Sequence, residues 1–304
     1  MALTSFPNGL SSFGVPVVGS GPSIPATTGT YFFVDSVTGS NSNSGRDKDH
    51  PVATITYALT LCTASKGDVI LVMPGYTETV TAAITVDKAG VYIMGLGWGN
   101  LIPSIQGNGA IDAVSITAAN VTFDNFQFPS PDTDAQTAVI NVTAAGVTIR
   151  NIRAIGSETS NNVVDMITLA SGADDCTIEN VRLYNTTVAV NSFLALEAAV
   201  ARLVVRNCVF QGECVTAGII DTGASTFLYF ENLIVATVGT TIPAAILDAN
   251  PTGVVNNCGW LGTHTTIASN FNAGNALRLK ESYVLEATDA SVQATDIIPA
   301  KDTE

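Results

Sequence analysis

The sequence predicts an all-β fold, a right-handed parallel β-helix, on three observations. An eight-residue motif with asparagine at its fifth position recurs six times along the chain. Successive copies lie about 26 residues apart, a period at which each unit is one coil of a solenoid. Within the motif the apolar residues change phase across the asparagine, which a straight strand does not permit.

The copies read VTFDNFQF (121–128), VTIRNIRA (147–154), CTIENVRL (176–183), LVVRNCVF (203–210), LYFENLIV (228–235) and GVVNNCGW (253–260). The central residues Asn125, Asn151, Asn180, Asn207, Asn232 and Asn257 are 26, 29, 27, 25 and 25 positions apart. Two and four residues before the asparagine the side chain is apolar in nearly every copy, so those positions face inward. After it, the apolar residues fall at the first and third positions. The asparagine therefore sits at a bend, and it tolerates the left-handed backbone that such a bend requires. Stacked about 4.8 Å apart, the six amides are expected to bond to one another as a structural ladder.

Two more columns follow from the alignment. The position after the asparagine holds Phe126, Ile152, Val181, Cys208, Leu233 and Cys258, an inward stack that includes two cysteines. The position before it holds Asp124, Arg150, Glu179, Arg206, Glu231 and Asn256, which alternate in sign. Opposite charges on neighbouring strands contribute roughly 0.2–1 kcal/mol per pair, so this column reads as register control.

In chain order, residues 1–30 are rich in Pro, Gly, Ser and Thr, with Phe6, Phe13, Val15, Val17 and Val18 among them. They read as an extended arm that lies against its own helix, a sister subunit or a partner. Residues 31–66 hold a strand at 31–35, a polar loop, and an amphipathic helix with Ile55, Ala58, Leu59 and Cys62 on one face, running to a stop near Lys66 and Gly67. That helix is expected to plug the open end of the solenoid. Residues 67–262 form the β-helix, with a further strand in each coil at 113–117, 139–143, 166–170, 218–221 and 245–248, and a bulging loop at 156–162. Beyond Trp260 the periodicity fades, and residues 263–304 read as a C-terminal cap and tail, with 275–285 a last strand or cap followed by a polar tail.

The chain carries 12 Lys and Arg against 26 Asp and Glu, a net charge of −14. Such a surface repels phosphate backbones and anionic bilayers, so neither nucleic acid nor membrane is expected as a partner. No run of 18 apolar residues occurs. The opening residues have neither a basic segment nor an apolar core, so no secretory signal is expected. The five cysteines have no metal-ligand spacing and are expected to be unpaired thiols. No cofactor and no metal is expected.

The strongest acid candidates are Asp221 and Asp248 at the ends of equivalent strands, with Glu197 one coil away and Asp174–Asp175 as a second pair. An acid at a strand end is also an ordinary turn residue, and no catalytic residue is assigned. Arg153 and Arg182 share one outward column with Gln127, a small basic stripe on an acidic protein. It would hold an anion or a partner's carboxylates, or be plain solvated surface. His50 lies in a loop before Pro51 and His264 follows Gly262-Thr263, and neither has a convincing acid or metal partner nearby in sequence.

The segment Gly67-Asp68 followed by an apolar run and Pro74-Gly75-Tyr76, then Ile84-Thr85-Val86 and Val91-Tyr92-Ile93-Met94-Gly95, resembles the first coils of the pectin-lyase-like superfamily. The Gly-His-Gly hydrolase motif of that superfamily is absent, and no counterpart of its paired lyase arginines is read. Residues 6–17, FPNGLSSFGVPV, and the stretch 276–284 resemble the ends of structural proteins of tailed bacteriophages. The resemblance implies a non-enzymatic virion protein, a homotrimer that decorates or cements the capsid exterior by docking on the major capsid protein. Phe6, Phe13, Val15 and Val17 would make the capsid contact. The alternative is a tailspike-like polysaccharide depolymerase or a carbohydrate-binding adhesin, with host-surface glycans as its partner.

Overall fold

The computed structural model describes residues 11–12, 15–16, 24–132, 136–156, 163–238, 242–247, 251–263, 271–273, 277–286 and 297–299. Each coil places strands on three parallel walls. The first wall precedes the asparagine bend. It runs from Tyr31–Val34 through Val69–Val72, Tyr92–Gly95 and the front of Thr122–Phe128 and Thr148–Ile155. It continues as Thr177–Glu179, Val204–Arg206, Leu228–Glu231, Gly253–Asn256 and Leu277–Lys280. The second wall follows the bend and includes Arg182–Val190, Val209–Cys214, Ile234–Val238 and Gly259–Gly262. The third is an eight-stranded sheet from Ile84–Val86 to Phe271–Ala273. It contains Ser192–Leu196, a strand the sequence reading omits.

The asparagine column forms as its spacing predicts. All six residues have φ between 50° and 63°. The amide both donates and accepts, so it can pass a bond from coil to coil. Nδ2 of Asn180 donates to Oδ1 of Asn151 at 2.6 Å, Asn232 to Asn207 at 3.0 Å, and Asn257 to Asn232 at 2.7 Å. At the near end Asn125 caps the carbonyls of Gly95 and Gly97, and Asn151 donates to Asp124. Glu281, with φ 48°, takes the next corner.

A second left-handed column turns the third wall into the first. Asn120, Gly146, Asp175, Arg202 and Phe227 each lie five residues before a ladder asparagine, with φ between 55° and 70°. Their side chains have nothing in common, so no recurring residue announces this corner. Backbone geometry alone repeats there.

Inward positions of the motif are buried throughout, apart from Gly253 at the start of the sixth copy. Phe123 stacks on Phe126 with centroids 4.3 Å apart, and Phe230 meets Trp260 edge-on at 6.1 Å. Each such side chain contributes roughly 1.5–3 kcal/mol on leaving water. Cys208 and Cys258 are fully buried in the same stack, and all five cysteines are free thiols.

The capping helix α1 spans Ile55–Leu61, shorter than its apolar spacing predicts. Thr54 caps its start by accepting from the Tyr57 amide, and Cys62 is already extended. Ser65 and Gly67 then use positive φ to turn into the first coil. Ile55, Ala58 and Leu59 pack into the end of the core.

Ile24 lies with Tyr31, Phe33 and Tyr92 against Val69, Leu71 and Met94 on the outside of the first wall, and the Tyr31 hydroxyl donates to the Pro25 carbonyl at 2.8 Å. Ile24 and Pro25, at the end of the arm, thus pack on the outside of its own β-helix. Phe6, Phe13 and Val17 lie outside the described residues. Val15 is in a short strand, Val15–Pro16, antiparallel to Ser11–Ser12.

The winding does not stop after Trp260. Leu277–Lys280 pairs with Gly253–Asn256, and Tyr283–Glu286 with Gly259–Gly262, both parallel. The glutamate at the corner hid this coil from an asparagine-based reading.

Candidate functional site

The acids singled out in sequence are occupied structurally. Asp221 is 1% exposed and accepts from the Gly223 and Ser225 amides and the Ser225 hydroxyl. It fastens a turn and is closed to substrate. Asp174 accepts from the Ala201 amide, and Asp175 pairs with Arg202 at 2.5 Å. Glu197 is exposed, its carboxyl pushed up by partial desolvation and then by the charges of Asp165 and Asp112. Asp248 and His264 lie outside the described residues. The His50 ring meets the Asp47 carboxylate in an exposed loop.

The alternating column also pairs internally. Asp124, 2% exposed, accepts from Arg150 Nε at 2.9 Å, from the Tyr92 hydroxyl at 2.5 Å and from Asn151. Glu179 and Arg206 meet at 3.1 Å.

The basic stripe has a different fate. Arg153 and Arg182 are register partners on adjacent coils of the second wall, hence about 4.8 Å apart along the helix. Both are exposed. Among the described residues neither is paired with a carboxylate. They open onto a groove of about 660 Å³ that also takes in Tyr184, Gln211 and Glu213. Strand alternation produces this lining: Leu183 and Asn185 turn inward while Arg182 and Tyr184 turn out. Nη2 of Arg153 donates to the Tyr184 hydroxyl at 3.3 Å, with the guanidinium 5.6 Å from the ring centre. Gly212, at φ 133°, lets the groove floor close, because a Cβ there would strike the Asn185 backbone. The Asn185 amide in turn holds the Glu213 carbonyl at 2.9 Å.

Arg153 also lines an adjoining hollow over the asparagine bend, with Met94, Trp98, Arg150 and Asn180. Trp98 is 82% exposed. The sequence reading passed over it because it lies between repeats; the available signal was a tryptophan flanked by glycines, Gly97 and Gly99.

Chemically, two guanidiniums one coil apart suit a carboxylate or sulfate on a repeating chain. A phenol and a carboxylate stand beside them. Glu213 is the sole carboxylate among the described groove residues, so hydrolysis by two facing acids does not map onto this lining.

No protein-family model matches the chain, and no curated protein matches it in sequence. Solved structures do resemble it. The pectate lyase Pel9A superposes with a TM-score of 0.63 at 13% identity, covering 89% of this chain and 74% of that one. The GH136 lacto-N-biosidase from Eubacterium ramulus gives a TM-score of 0.53 at 12% identity, over 84% of this chain and 55% of that one. The chain has the right-handed parallel β-helix fold of pectate-lyase-like proteins. These structures are named as carbohydrate-active enzymes, and they correct the expectation of a non-enzymatic protein. That expectation assigned no catalytic residue and left the outward arginines as an anion contact or plain solvated surface. It could not see that Trp98, Arg153, Arg182 and Tyr184 converge on one face.

Proposed function

We propose that this chain is a carbohydrate-active protein that binds an anionic polysaccharide along the second wall and cleaves it by elimination. The carrying observation is the pair of exposed guanidiniums, Arg153 and Arg182, in a groove on a protein of net charge −14. Arg153 and Arg182 hold the carboxylate of a uronate unit and offset the charge that grows there as the neighbouring proton leaves. The Glu213 carboxylate takes that proton. The bond to the leaving oxygen breaks, a carbon–carbon double bond forms in the ring, and the leaving oxygen takes a proton from the Tyr184 hydroxyl, bonded to Arg153, which regains one from water. The fold of the pectate lyase supports this reading over plain binding.

The test is incubation with polyuronates and host-type acidic glycans, followed by detection of unsaturated uronate ends. Product formed by the intact chain, and reduced at least 100-fold in Arg182→Ala and Tyr184→Phe, is expected. Binding without any product would leave an adhesin. No binding to any acidic glycan would overturn the proposal.

The setting belongs to the same proposal. The resemblance of residues 6–17 and 276–284 to phage structural proteins supports a homotrimer carried on the exterior of a virion, held to the major capsid protein through Phe6, Phe13, Val15 and Val17. Co-sedimentation of the chain lacking residues 1–23 with particles would remain at wild-type level if this attachment were wrong.

A further inference from the structure

Trp98 stands where a folding protein gains nothing from it. At 82% exposure it makes no aromatic ring contact among the described residues. The backbone presents it nonetheless. Gly97 takes φ 113°, where a Cβ would run into the Leu101 carbonyl, and a 3-10 turn, Gly99–Leu101, follows. The indole borders the hollow that shares Arg153 with the groove. One arginine thus joins an aromatic surface at one end to Arg182, Tyr184 and Glu213 at the other.

We infer that Trp98 is the stacking platform of a distal sugar subsite, and that the site takes a chain of about four sugar units laid along the helix axis. This rests on the proposed function and adds the orientation and length of its ligand. From the coil of Tyr92–Gly95 to that of Val209–Cys214 there are four steps, by way of Thr122–Phe128, Thr148–Ile155, Thr177–Glu179 and Val204–Arg206. At the strand spacing these steps span roughly 19 Å. A pyranose unit advances a glycan by a length comparable to one such step, so a repeating acidic chain can match the repeat of the coils. The flat apolar face of a pyranose fits an indole, and an exposed tryptophan in a polar hollow suits an amphipathic ligand of this kind.

The second tryptophan makes the test specific. Trp260 is fully buried, so a change in indole emission on adding glycan reports Trp98. Oligogalacturonates of two to eight units would be titrated by calorimetry and fluorescence into the full chain, Trp98→Ala and Trp98→Phe. Affinity should climb up to about four units and then level off. Trp98→Ala should weaken tetramers and longer chains about tenfold, leave dimers unchanged and abolish the emission change, with Trp98→Phe restoring much of the affinity. Equal affinity at every length, or wild-type affinity for long chains in Trp98→Ala, would overturn the subsite while leaving the proposed function standing. So would a Trp98→Ala effect confined to self-association in sedimentation. Absence of binding by the intact chain at every length would overturn the subsite, and the same result with every other acidic glycan would overturn the proposed function as well.

Discussion

The side-chain amide of Asn180 donates to that of Asn151 across one coil at 2.6 Å, and both residues hold left-handed backbone, with φ 53° and 56°. One residue type thereby meets two demands of the corner: a conformation that few side chains accept, and a polar group that is both donor and acceptor in a stack.

Separating those demands gives the first prediction. Asn180→Ala loses the ladder bond and strains the left-handed corner, and should cost about 2–3 kcal/mol in urea unfolding. Asn180→Gly relieves the strain alone and should recover about 1 kcal/mol of it. Equal losses in the two variants would mean that backbone conformation contributes nothing.

Asp124 concerns a buried charge. Its carboxylate is 2% exposed and is held by Arg150, Tyr92 and Asn151. Arg150→Met removes the countercharge and should destabilise by about 2–4 kcal/mol. Asp124→Asn in that background should recover part of the loss, as a double-mutant cycle would show.

Glu78 supplies a pH dependence. Tyr76, buried against the capping helix, donates a hydrogen bond to it. Desolvation raises the Glu78 carboxyl above its ordinary value of 4.5, and the Tyr76 bond opposes the shift only in part. A raised folded pKa means that this contribution is full below the unfolded value and is lost as pH rises through the folded one. Glu78→Gln keeps an acceptor for Tyr76 without the charge. Its melting temperature should exceed that of the parent by about 2–4 °C at pH 8, equivalent to ~1 kcal/mol, and the gap should close by pH 4. A gap independent of pH would show that the carboxylate is not the cause.

The cysteines should be inert in the folded chain. Burial pushes the thiols of Cys62 and Cys208 up to about 12 and those of Cys176 and Cys258 up to about 11, and raises Cys214 as well. Since the thiolate is the nucleophile, iodoacetamide at pH 8 should label none of the five before unfolding and all five in urea. Rapid labelling of the native protein would place a cysteine at the surface.

The solenoid, its bend and its buried columns were legible because one constraint recurs in every coil. Asn125 through Asn257 meet the same backbone demand, and Phe126 through Cys258 line the same interior. The second corner was not legible, since Asn120, Gly146, Asp175, Arg202 and Phe227 share a φ value and no chemistry. The last coil was legible only as a strand or cap for a related reason, with Glu281 where an asparagine was sought.

The sequence by itself determined the winding, since period and phase are properties of order along the chain. Tertiary structure decided which outward residues share a face. Trp98 and Arg153 are 55 positions apart, and only the pitch of the coils places them on one hollow. Burial likewise withdrew Asp221 from chemistry, because turn amides claimed its oxygens before any ligand could.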